Sequence, residues 1–68
     1  MMKTYRVSCL DFRTGRGRVR WMQYEKGLSA ARRLLKDTAG EGARLNWSRN
    51  AKCFVGYYRG LEYWAVEC

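Results

Sequence analysis

Histidine and proline are absent from this chain, acids are few, and no apolar run is long. Without histidine, the side chain that ordinarily titrates near neutral pH is missing, and with it the usual general acid or base and the commonest metal ligand. The six acids, Asp11, Glu25, Asp37, Glu41, Glu62 and Glu67, form no recognisable catalytic motif. Cysteine is limited to Cys9, Cys53 and Cys68, an odd and widely spaced set with no Cys-x-x-Cys. That excludes the familiar zinc ligand pairs and argues against a disulfide framework, so a reducing cytoplasm is expected. A cysteine nucleophile would need a base, and none is evident. No enzymatic activity, metal or cofactor is therefore expected. No stretch is apolar enough to span a bilayer. The start, MMKTYRVSC, passes straight into a strand-like alternation, so neither a signal peptide nor a membrane partner is expected.

What the chain does have is aromatic bulk and positive charge. With 68 residues it is expected to be one domain, 1–68. A domain this small buries a modest fraction of its surface. Three tryptophans, five tyrosines and two phenylalanines offset that, because each ring buries a large apolar area. So small a core cannot hold all ten, and several rings are expected to be partly exposed. Fourteen Lys and Arg against six acids give a net charge of +8. Arginine, with its planar fork, dominates the basic set, which suits phosphate or carboxylate better than a point charge does. The balance points to an anionic partner.

The hydrophobic pattern predicts β-β-α-β-β-β. Residues 4–12, TYRVSCLDF, alternate Tyr5, Val7 and Cys9 against Arg6 and Ser8, with a bulge, a twist or two-sided burial expected near Leu10 and Phe12. RTGRGR supplies the reversal, and 18–25 resume the alternation with Val19 and Trp21 inward. A helix is predicted over roughly 30–38, capped by Ser29 and closed by Gly40, with Ala31, Leu34, Leu35 and Thr38 on its core face. After Gly42, Ala43, Leu45 and Trp47 alternate with Arg44, Asn46 and Ser48. SRNA turns the chain, and 52–58 read as a central strand. Arg59 and Gly60 make a tight turn, and 61–68 close with Trp64, Val66 and Cys68 on one side and Leu61, Tyr63 and Ala65 on the other. The expected fold class is α+β, a small antiparallel sheet of about five strands with one helix packed on one face.

Two basic clusters are candidate contact surfaces. Arg32, Arg33 and Lys36 lie on the helix away from Leu34 and Leu35, with Asp37 placed to pair with Arg33. Arg16, Arg18 and Arg20, beside Arg13, decorate the hairpin and could follow a phosphate backbone, or simply keep a strand wet. KCFVGYYR (52–59) fails the RNA-recognition octamer, because Cys53 replaces its glycine and Val55 its small residue. Tyr57, Tyr58 and Tyr63 are expected to pack in the sheet rather than stack on bases.

The phrase GLSAARRLLK (27–36), the ending VEC (66–68), the length and the element order resemble small phage-encoded anti-CRISPR proteins that inhibit the type I-F surveillance complex, Cascade. The arginine-rich hairpin at 13–20 departs from that pattern. The resemblance implies binding to the Cascade backbone subunits so that target DNA cannot pair with the guide RNA. It also implies engagement of duplex DNA without sequence preference, and action in the cytoplasm of a bacterial host during phage infection. On this reading Arg32, Arg33 and Lys36 form the contact surface, and Arg16, Arg18 and Arg20 add to it. The alternatives are a small basic phage nucleic-acid-binding module and a protein-binding adaptor with aromatic anchors. An exposed strand edge would also offer a route to a homodimer.

Overall fold

The computed structural model describes residues 2–68. The elements are β1 (Thr4–Asp11), β2 (Arg18–Lys26), α1 (Leu28–Ala39), β3 (Asn46–Ser48), β4 (Cys53–Tyr58) and β5 (Leu61–Glu67), in the expected order. All five strands join one antiparallel sheet ordered β2-β1-β5-β4-β3. β5 is the middle strand, and β4 is interior but off-centre because β3 closes its outer side. Among the described residues, no helix is long and apolar enough to cross a membrane.

One side of the sheet carries the core. Tyr5, Val7 and Cys9 of β1 and Tyr63 and Ala65 of β5 alternate inward, and Ala31 and Leu35 of α1 close over them. Leu35 is 1 % exposed. Burying such a side chain contributes about 2 kcal/mol, which a twelve-residue helix needs because it is marginal on its own. Leu28 and Leu34 pack at the margin of this cluster.

The helix begins earlier than its polar residues suggest. Ser29 is exposed and is not the cap. Gly27 is the N-cap, with φ 90° and no side-chain hydrogen bond. Its N–H donates to the Lys3 carbonyl at 2.7 Å, finishing the hairpin, while its own carbonyl accepts from Ala31 at 3.2 Å, starting the helix. The chain must leave the sheet and enter the helix at one residue, and the left-handed backbone this requires favours glycine. Thr38 is likewise exposed rather than in the core, and its hydroxyl donates back to the Leu34 carbonyl at 2.8 Å.

The bulge expected near Leu10 lies on the opposite strand. Cys9 pairs with Trp21 and Leu10 with Val19, leaving Arg20 as the extra residue of β2. An inserted residue reverses the facing of everything beyond it. Trp21 therefore points to the core, whereas Val19, expected inward, is 62 % exposed on the helix-free side. The third strand is also shorter than its alternation. Residues 43–45 cross above β4 on the helix side, sinking Ala43 and Leu45 into the core, and only Asn46–Ser48 pair as strand. Gly56 permits the crossing, since a Cβ there would collide with the Arg44 carbonyl oxygen.

Gly56→Ala is expected to destabilise the fold by on the order of 3 kcal/mol, because the obstructing atom is backbone and cannot rotate aside. Ser29→Ala should change stability by less than about 0.5 kcal/mol, since no cap is lost. Urea denaturation followed by tryptophan fluorescence measures both.

Candidate functional site

The described residues contain three ion pairs within 4 Å: Lys3–Glu67, Arg13–Asp11 and Arg20–Asp11. Most of the arginines are thus uncompensated by a near carboxylate, and their positions decide what surface they make.

The hairpin cluster is divided by Asp11. Arg13 Nη2 donates to Asp11 Oδ2 at 2.8 Å, Arg13 Nε donates to Oδ1 at 3.0 Å, and the Arg13 backbone N–H donates to Oδ1 at 2.9 Å. Arg20 Nη1 lies 3.8 Å from Asp11 Oδ2. A fork-on-carboxylate pair of this kind is the strong form of ionic hydrogen bond. These bonds, those of the Arg13 side chain foremost, lower the Asp11 carboxyl to about 2. The Arg13 stem also rests against the Arg59–Gly60 turn, where a Cβ on Gly60 would come within 3.1 Å of Arg13 Cδ. Arg13 is therefore a brace between two turns at one end of the sheet. Arg16 and Arg18 are exposed and are in none of the ion pairs.

The helix cluster is also divided, by helical geometry. Arg32 and Lys36, one turn apart, line a depression of about 370 Å³ between α1 and residues 43–46. Arg44 completes it, so three cations from two segments surround one hollow. Arg32 is held in place by the Phe54 ring, with its guanidinium carbon 5.6 Å from the ring centre. Arg33 lies on the other flank, beside Glu25 and Asp37. The expected Arg33–Asp37 pair is not among the three ion pairs, although both border that shallower hollow.

The candidates Arg32 and Lys36 are thus brought together, Arg33 is set apart from them, and Arg16, Arg18 and Arg20 stand at the turn end of β1 and β2. The pattern alone does not reveal Arg44. It reads there as the wet side of a strand, and only the crossing over Gly56 carries it to the helix. Tyr63 and Tyr58 pack as expected, Tyr58 against Gly40 and Gly42, but Tyr57 is 74 % exposed. Burial pushes the Cys9 and Cys53 thiols above their ordinary value, which keeps them neutral, while Cys68 is exposed. Three cations around a hollow with no inward carboxylate can hold an anionic group.

Because the folded pKa of Asp11 lies below its ordinary value of 3.8, its contribution to stability is present above that value and is lost as pH falls through about 2. Carboxyl-detected NMR titration should find the Asp11 midpoint near 2, moving toward 3.8 in Arg13→Ala. An unchanged midpoint in the variant would assign the shift to another cause.

Comparison with protein-family models, with curated proteins and with solved structures finds no match to this chain.

Proposed function

We propose that this chain acts by binding rather than catalysis, and that it is an anti-CRISPR protein that occupies the backbone subunits of a type I Cascade and blocks hybridisation of target DNA in the host cytoplasm. The observation that carries the reading is the hollow bordered by Arg32, Lys36 and Arg44. Its cations come from a docked helix and a braced crossing, so little ordering is required when an acidic surface meets them. The sequence resemblance of GLSAARRLLK to Cascade inhibitors falls on the same helix and supplies the kind of partner.

A second reading, a basic phage nucleic-acid-binding module, is favoured by Arg16 and Arg18, which stand exposed at the hairpin without carboxylate partners. The two readings differ in salt dependence. Duplex binding through phosphate contacts weakens steeply as salt rises, because counterions are released.

Target-duplex binding by purified type I Cascade, with and without the protein, tests the proposal. The protein is expected to abolish specific target binding. Arg32→Glu combined with Lys36→Glu should weaken inhibition by roughly 100-fold, since reversal sets like charges against the partner. Arg33→Glu should weaken it by less than about tenfold, as befits a charge outside the contact. Undiminished inhibition by the folded double variant would remove this surface. Unchanged Cascade binding, with a salt-sensitive shift of duplex alone, would favour the second reading.

A further inference from the structure

Val55 is buried on the face of the sheet opposite α1, but among the described residues no helix packs on that face. Register sets three rows across it. Tyr24, Arg6 and Val66 form one; Met22, Ser8, Trp64 and Val55 the next; Val19, Leu10, Glu62 and Tyr57 the third. Of these, Val19, Met22, Tyr24 and Tyr57 are each more than half exposed. Arg6, Ser8, Leu10, Val19, Met22, Trp64 and Val66 line one apolar depression. Scattered exposed apolar residues are ordinary, whereas a contiguous patch crossing several strands marks an interface.

The charge on this face selects the occupant. Its three rows hold one cation, Arg6, and one anion, Glu62, and Lys26 stands just beyond them opposite Thr4, so the face is only weakly basic beside the two arginine clusters and offers a polyanion little. The basic residues of both candidate clusters are absent from these rows, with Arg44 alone reaching their margin beside Val55 and Tyr57. Neither is the strand edge the exposed feature. β3 is three residues long, and β2 is interrupted at Arg20 and carries Arg18 and Lys26, devices that blunt edge-to-edge pairing. Four strands about 4.8 Å apart and roughly seven residues long at about 3.4 Å each give a face of roughly 450 Å² in projection. Side chains standing up from it raise the accessible area toward the roughly 800 Å² that each partner of a standard interface contributes.

We propose that this helix-free face is a homodimer interface, two sheets packed face to face about a two-fold axis along the Met22–Ser8–Trp64 row. Such an axis lays the first row of one copy over the third row of the other. Arg6 then stands above Leu10 of the other copy, one strand from its Glu62. The symmetry makes this pair twice. Glu62 can serve it, because the Trp64 indole N–H engages Oε1 and leaves the second oxygen free. Two sheets packed in this way sit about 10 Å apart with strands nearly aligned, the ordinary geometry of a β-sandwich. The basic helix sides face outward from both copies, so like charges are kept apart.

Sedimentation velocity across a concentration series, in reductant so that Cys68 cannot cross-link, tests the interface. The chain is expected to move from its monomer mass of 8.0 kDa to twice that value as concentration rises. Met22→Glu should remain monomeric and melt as the dilute, monomeric wild type does, since Met22 is outside the core. Arg6→Glu should weaken the dimer by at least about tenfold, and adding Glu62→Arg should restore it. A wild-type chain that stays at monomer mass to about 1 mM overturns the proposal, because association weaker than that is non-specific in scale. A folded Met22→Glu that still dimerises, or an exchange of both charges that fails to restore the dimer, overturns it equally.

Discussion

One helix must close the core of a five-stranded sheet, and the arrangement depends on that constraint. Ala31 and Leu35 press on the β2–β1 half of the sheet, so Tyr5, Val7, Cys9, Tyr63 and Ala65 form a core on one side, with Trp21 of β2 packed against it. The remaining cover on that side comes from the crossing at 43–45, and the crossing requires a strand without a side chain at Gly56. The other side receives no helix. Val55 there is buried and Leu10, Trp64 and Val66 are half-buried, but Val19, Met22, Tyr24 and Tyr57 are exposed without being replaced by polar residues, as an ordinary half-wet antiparallel sheet would have them.

The same constraint sorts the charge. Arg32 and Lys36 occupy the flank of the helix nearest the crossing, and Arg44 is drawn to them as the price of sinking Ala43 and Leu45. At the far end, Asp11 ties down Arg13 and sits near Arg20, leaving Arg16 and Arg18 outward. The protein thus presents a cationic helix flank, a basic hairpin end and a near-neutral apolar face. Those surfaces point different ways and can be occupied together. A dimer through the apolar face would present two cationic flanks, and paired sites raise apparent affinity through effective concentration.

Much of this fold is legible in the sequence. Period-two alternation in 4–9 and 61–68 assigns both strands and both faces, and the spacing of Ala31, Leu34 and Leu35 assigns the helix. The failures have local causes. Ser29 reads as a cap, yet the turn out of β2 needs a left-handed residue, so glycine takes the position. Val19 reads as inward, because an inserted Arg20 is indistinguishable from regular alternation until the partner strand is known. Arg44 reads as an ordinary solvent-facing residue, because its contact depends on Gly56, a pairing twelve residues away. The basic character of the surface follows from counting, but which arginines act together follows from tertiary packing.

Of the four lysines of the chain, Lys3, Lys26, Lys36 and Lys52, Lys36 alone borders the hollow, whereas Lys3 and Lys52 share a different depression. Carbodiimide cross-linking of the protein bound to assembled type I Cascade, read by mass spectrometry, joins lysine amines to carboxylates already in contact. Cross-links from Lys36 to acidic residues of the backbone subunits are expected to dominate. A bound complex whose cross-links come from the other three lysines, with none from Lys36, would contradict the account.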